Sequence, residues 1–146
     1  MESQLTIQAL WEDDGLLTIE SHAASWGFVG KTQVYTTYTA LEKWANELAA
    51  LPLVAGHSVR FQAGERNGYA YLGVTISVLD SAGRCQCSVS FESSPAHTWE
   101  SKNKLEVGIL IEPNAIDRFV TGLMAIVQTK NQSEACLLGA DNVPPT

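Results

Sequence analysis

The stretch TQVYTTYTALEKWANELAAL, residues 32–51, passes from an alternating pattern into a helical one, and a similar phrase returns as VGILIEPNAIDRFVTGLMAI, residues 107–126. A shift of 75 positions lays one on the other: Val34 on Ile109, Thr36 on Ile111, Thr39 on Asn114, Leu41 on Ile116, Lys43 on Arg118, Trp44 on Phe119 and Leu48 on Leu123. Each phrase reads as a strand, a short turn and a helix that folds back on the sheet. Leu41, Trp44, Ala45, Leu48 and Leu51 recur at helical spacing, as do Ile116, Phe119, Val120, Leu123 and Val127, so each helix carries one apolar stripe. Thr39 is the expected N-cap of the first helix, Pro52 ends it, and Pro113 or Asn114 opens the second.

Working outward, residues 5–11 alternate weakly before the turn EDDG, and residues 16–30 read as one long strand or two short ones with a bend at Gly27 and Gly30. Val59, Phe61 and Ala63 face one way in the next strand. Ala70, Leu72, Val74, Ile76 and Val78 do so in the one after it. The turn DSAG leads to the clearest period-2 pattern in the chain, with Cys85, Cys87, Val89 and Phe91 inward and Arg84, Gln86, Ser88, Ser90 and Glu92 outward. Leu105, Val107, Ile109 and Ile111 alternate in a last strand. The expected fold is a two-layer α+β sandwich, a mainly antiparallel sheet with two helices packed on one face, in a single domain over residues 1–128. Residues 129–146 are polar apart from an apolar island at 136–138 and read as a loosely ordered tail, or one tacked to the body by that island.

The chain has 146 residues, 45% of them hydrophobic, enough for one sizeable core. Sixteen acidic residues against nine basic ones leave a net charge of −7. Such a field repels a phosphate backbone and draws in a basic protein partner. The N-terminal residues lack the basic and apolar regions of a secretory signal, and no apolar window approaches a membrane span. Three cysteines are too few and odd in number for a disulfide framework, which fits a cytoplasmic setting.

Catalytic and cofactor signatures do not surface. Cys85 and Cys87 lie in the apolar register of a strand, and no second pair completes a zinc site. His22, His57 and His97 are scattered, Glu12, Asp13 and Asp14 read as a solvated turn, and VGKT at residues 29–32 lacks the first glycine of a P-loop. No catalytic residue, cofactor or metal is therefore expected. The uncovered sheet face, with tyrosines among hydroxyls and amides, offers rigid contact area for protein recognition, and Tyr35, Arg60, Tyr69, Tyr71 and Gln86 are its candidate partner-binding residues. Trp99, in the loop 93–103, joins them.

The succession WGFVGKTQVYTTYTALEKWANELAALP, YAYLGVTISVLDSAGRCQCSVSF and LEVGILIEPNAIDRFVTGL resembles a set of small bacterial cytoplasmic α+β proteins, some of which look like immunity proteins of polymorphic toxin systems. The resemblance runs from about Leu16 to Val127 and rests on packing and turn motifs, so it carries no functional residue across. It implies a non-enzymatic domain that binds and blocks a toxin. Alternatives are an acidic secretion chaperone, against which the missing N-terminal amphipathic helix counts, and a small ligand-binding domain or enzyme with a pocket under the loop 93–103.

Overall fold

A computed structural model describes residues 2–65, 69–94, 102–130 and 133–141. They form strands β1 (Gln4–Asp13), β2 (Leu16–Ser25) and β3 (Phe28–Thr36), helix α1 (Tyr38–Ala49), strands β4 (Ser58–Gly64), β5 (Ala70–Val78), β6 (Cys85–Ser93) and β7 (Asn103–Ile111), helix α2 (Pro113–Thr129) and strand β8 (Glu134–Leu138). The fold is an α+β sandwich with antiparallel pairing throughout. Its strands are divided between two four-stranded sheets, β3-β2-β1-β8 and β4-β5-β6-β7.

The division departs from the single sheet expected, and dimensions explain it. Eight strands side by side span roughly 38 Å, whereas two helices about 10 Å wide cover roughly 20 Å. The two apolar faces cover each other instead. β3 lies across β4, β5 and β6, and β7 reaches β2. Leu5, Ile7, Leu17, Ile19 and Val34 of the first sheet share one core with Leu72, Val74, Ile76, Val89 and Ile109 of the second. At the crossing Gly30 comes so close to Leu105 that a Cβ there would run into its Cδ2.

The 75-residue shift maps β3 onto β7 residue for residue, and the two strands bury their side chains in the same order, exposed at the start and alternating at the end. It also aligns the buried helix residues Leu41 with Ile116, Trp44 with Phe119 and Leu48 with Leu123. The equivalent aromatics meet. Trp44 stands edge-on to Phe119 with centroids 5.2 Å apart, and it stacks on Phe61 of β4 at 4.2 Å. α1 packs against α2 and β4, and α2 packs against β8, so the helices close one side of the crossed sheets.

Two sequence expectations are corrected. Thr37, not Thr39, caps α1, its hydroxyl accepting the N–H of Ala40 at 3.0 Å, because the helix begins two residues earlier than expected, at Tyr38. The stretch after residue 129 is not simply a loose tail, since Glu134–Leu138 pairs along β1 from Gln8 to Gln4. Beyond it Gly139 donates to the Ser3 carbonyl at 2.8 Å, and Asp141 accepts from the Ser3 hydroxyl at 3.1 Å. The pattern of Ala135 and Leu137 buried on one side is what draws this short segment into the sheet. Residues 142–146 lie outside the described set.

Trp44 has a buried indole N–H with no hydrogen-bond partner among the described residues. Trp44→Ala is therefore expected to cost ~3–5 kcal/mol through the cavity it leaves. Trp44→Phe removes the unsatisfied donor together with one ring and should cost well under half as much, about 1–2 kcal/mol. Urea unfolding of both variants checks the order. On α2, a Cβ at Gly122 would stand 2.8 Å from the Cα of Ala135, so Gly122→Val must push β8 away. Hydrogen exchange should show faster exchange confined to β8 and its β1 partner amides, with an overall loss of about 1–3 kcal/mol.

Candidate functional site

The outward row of the first sheet that ends nearest its β1–β2 turn is built by a bulge. β1 pairs with β2 in regular register up to Ala9 opposite Ile19, then skips Leu10, so that Trp11 stands opposite Thr18. Without that extra residue Leu10 would occupy the position and Trp11 would turn inward, since side chains alternate along a strand. Thr18 is in turn opposite Tyr35 of β3. Trp11, Thr18 and Tyr35 thus form one cross-strand row, aromatic, hydroxyl, aromatic.

Beyond the β3 edge lie Gly64 and Glu65 at the end of β4 and Tyr69 and Ala70 at the start of β5. Together with the row, Gln33 and Val34, they line a groove of about 890 Å³. Gly64 has φ +77°, and a Cβ there would meet the Ala70 carbonyl, so the close approach of the end of β4 to the start of β5 depends on glycine. The rings are presented to solvent, Trp11 57%, Tyr35 62% and Tyr69 69% exposed. Thr18 between them is only 4% exposed, and its hydroxyl has no hydrogen-bond partner among the described residues. A second depression of about 380 Å³, sharing Gln33, Tyr69 and Ala70, continues the trough towards Glu20, Lys31, Ser93 and Ser94. Gln33 spans the row by donating to Glu20 at 2.9 Å.

The rim is acidic. Glu65 lines the groove, Glu20 lines the adjoining depression, and Asp13 at the end of β1 and Asp14 in the β1–β2 turn follow Trp11, Asp14 and Gly15 with positive φ, while Glu12 alternates to the opposite face of the strand beside Leu17. Glu12 also reaches Tyr38, whose hydroxyl is held above its ordinary pKa by desolvation and then by the Glu12 carboxylate. Lys130 stands over the Tyr38 ring at 5.5 Å.

The structure thus brings Tyr35 and Tyr69 into one groove and separates them from Arg60, Tyr71 and Gln86. Arg60 and Tyr71 are on the outer face of the second sheet, in a network in which Arg60 donates to Tyr71 Oη at 2.8 Å and to Thr75 at 2.9 Å, while Tyr71 donates to Gln62 at 2.9 Å. Tyr71, expected to be exposed, is 2% exposed because its ring lies flat over Gly73, where a Cβ would meet Tyr71 Oη at 2.7 Å. Thr18, which points to the open face between Trp11 and Tyr35, is likewise covered by its neighbours. Gln86 lies over Gly108 on the same outer face as Arg60. Trp99, and the loop residues 95–101 over the alternative pocket, lie outside the described residues. Trp11 and Glu65 were missed; the β1 bulge that aims Trp11 outward leaves no mark in the sequence beyond the break in alternation at residues 10 and 11.

Cys85 and Cys87 are buried in β6, and burial followed by the neighbouring Cys85 pushes the Cys87 thiol up to about 12. Among the described residues no three His, Cys, Asp or Glu side chains come together as a metal site. No described helix is long and apolar enough to cross a membrane.

No protein-family model matches the chain, and neither does any curated protein. Among solved structures it is similar to the plant transcriptional regulator PBF-2, with a TM-score of 0.50 and 11% identity over 87% of this chain and 76% of that one. At that identity the likeness is one of fold.

Two outcomes follow for these residues. Trp11→Ala and Tyr35→Ala should each change stability by less than about 0.5 kcal/mol, since both rings are largely in solvent. For Cys87 the folded pKa lies above the ordinary value of 9.0, so the unfolded chain releases the thiol proton first. Its contribution is then complete below pH 9 and declines as pH rises towards 12. Urea midpoints measured from pH 8 to pH 11 should fall less steeply for Cys87→Ala than for the unmodified chain.

Proposed function

We propose that this chain is a non-enzymatic protein-binding domain that takes a basic partner in the groove above β3. The observation that supports it is the groove itself: three exposed aromatic rings around a buried, unpartnered hydroxyl, with carboxylates at the rim. Exposed aromatics of this kind are the usual anchors of protein interfaces, because they bury much area while losing little side-chain freedom. A net charge of −7 steers a basic partner in and repels a phosphate backbone. Blocking a basic toxin, as the resemblance to immunity proteins implies, is a setting that suits this acidic surface. Regulation of transcription, the role of the structural neighbour, gains no support from the charge if it requires contact with nucleic acid.

The test is site-specific photo-crosslinking in cells, with a photoreactive phenylalanine analogue at Tyr35 or Tyr69 and, as control, at Gln128 on the exposed side of α2. Protein adducts at the two groove positions and none at the control are expected. Association of the purified partner should slow by at least roughly tenfold between low and high salt. Adducts to nucleic acid, or equal adducts at all three positions, would remove the groove from the function.

A further inference from the structure

The geometry points to a narrower assignment, which rests on the protein-binding reading: the space between Trp11 and Tyr35, floored by Thr18, is a slot for an arginine side chain of the partner. β1 and β3 flank β2, and neighbouring strands lie ~4.8 Å apart, so Trp11 and Tyr35 rise from the sheet about 9.6 Å from each other. One flat group between two aromatic faces needs roughly 3.5–4 Å on each side, about 7–8 Å in all. The spacing set by one intervening strand therefore fits one planar layer.

Three features select the chemistry of that layer. A guanidinium is planar and cationic, so it gains from both ring faces at once, which a strongly hydrated lysine ammonium does less well. The Thr18 hydroxyl, buried and without a partner among the described residues, is an acceptor for one of its N–H groups. The surroundings favour a cation. Glu65 lines the groove, Glu20 lines the depression that continues it, and Asp13 and Asp14 follow Trp11 along the chain, against Lys31 in that depression and Lys130 beyond Tyr38. A flat neutral group would find the rings but not the charge, and a nucleobase would carry its phosphate into the same carboxylates.

Thr18 gives the assignment a signature that a structural role would not produce. In the free chain its hydroxyl is a buried group without compensation, so Thr18→Val, which keeps the shape, should raise the melting temperature. The same change should weaken arginine binding about threefold or more, because the acceptor is gone.

The experiment titrates the full chain with three capped tripeptides, Gly-Arg-Gly, Gly-Lys-Gly and the neutral isostere Gly-citrulline-Gly, and with a thymidine oligonucleotide, following the Trp11 indole N–H and the Thr18 methyl by NMR. Saturable shifts with the arginine peptide are expected, at least about tenfold weaker binding with citrulline, and loss of the shifts in Trp11→Ala and Tyr35→Ala. Equal shifts with arginine and citrulline, no shifts at all, or stronger shifts with a thymidine oligonucleotide would overturn the slot. Arginine binding unchanged in Thr18→Val would overturn the role of Thr18. If the peptides fail while groove variants still abolish photo-crosslinking to a protein, the slot falls and the protein-binding reading stands. If the peptides bind but crosslinking ignores the groove, the broader reading falls.

Discussion

The contact between Trp44, Phe61 and Phe119 holds the architecture together. Each helix follows the last strand of its sheet, so each could fold back on its own strands alone. Instead the two aromatic residues that correspond under the 75-residue shift face each other at the centre, and Trp44 also stacks on β4 of the opposite sheet. One side chain thereby joins α1, α2 and the second sheet. The indole is retained there despite an unsatisfied N–H, a cost of ~1–3 kcal/mol, because a smaller ring could not reach both neighbours, and the stacked and edge contacts add to a large buried area.

The correspondence around that contact is more complete in space than along the chain. The second sheet runs β4, β5, β6, β7 in order and is followed by α2, whereas the first runs β8, β1, β2, β3 and is followed by α1. Both are therefore a four-stranded meander leading into a helix, and the first unit takes its opening strand from the far end of the chain. Closing that unit requires α2 to lie almost against β8, which is possible because Gly122 presents no side chain to Ala135. The anchoring of Ser3 by Gly139 and Asp141 completes the junction of the two chain ends.

Much of this was legible in the residues. Period-2 alternation in residues 85–91 and 105–111, and the helical stripes through Trp44 and Phe119, placed the elements and the buried faces correctly, because burial on one side writes itself into the sequence as periodicity. The partition into two sheets was not legible, since inward-facing residues look alike whether a helix or another sheet covers them. β8 was seen only as an apolar island, five residues being too short a pattern to declare a strand. The same limit applied to the site. Tyr35 and Tyr69 could be assigned to an outward face, but alternation could not show that the Tyr71 ring would lie down over Gly73, or that a bulge would turn Trp11 out beside Thr18.

The groove is itself a consequence of crossed sheets. Were β3 an inner strand of a single broad sheet, its open side would continue into another strand, and a row such as Trp11, Thr18 and Tyr35 would lie on a flat surface. Because the second sheet crosses beneath, the end of β4 and the start of β5 come up beside the β3 edge and raise Glu65 and Tyr69 as a wall. The pocket thus follows from the same packing that buries the core, and it requires only small local departures, one bulge at Leu10 and one positive φ at Gly64. Neither improves the packing of the core. A strand that stayed regular would have buried Trp11, so the bulge exposes a large apolar ring to water, an unfavourable placement that a partner's side chain would relieve.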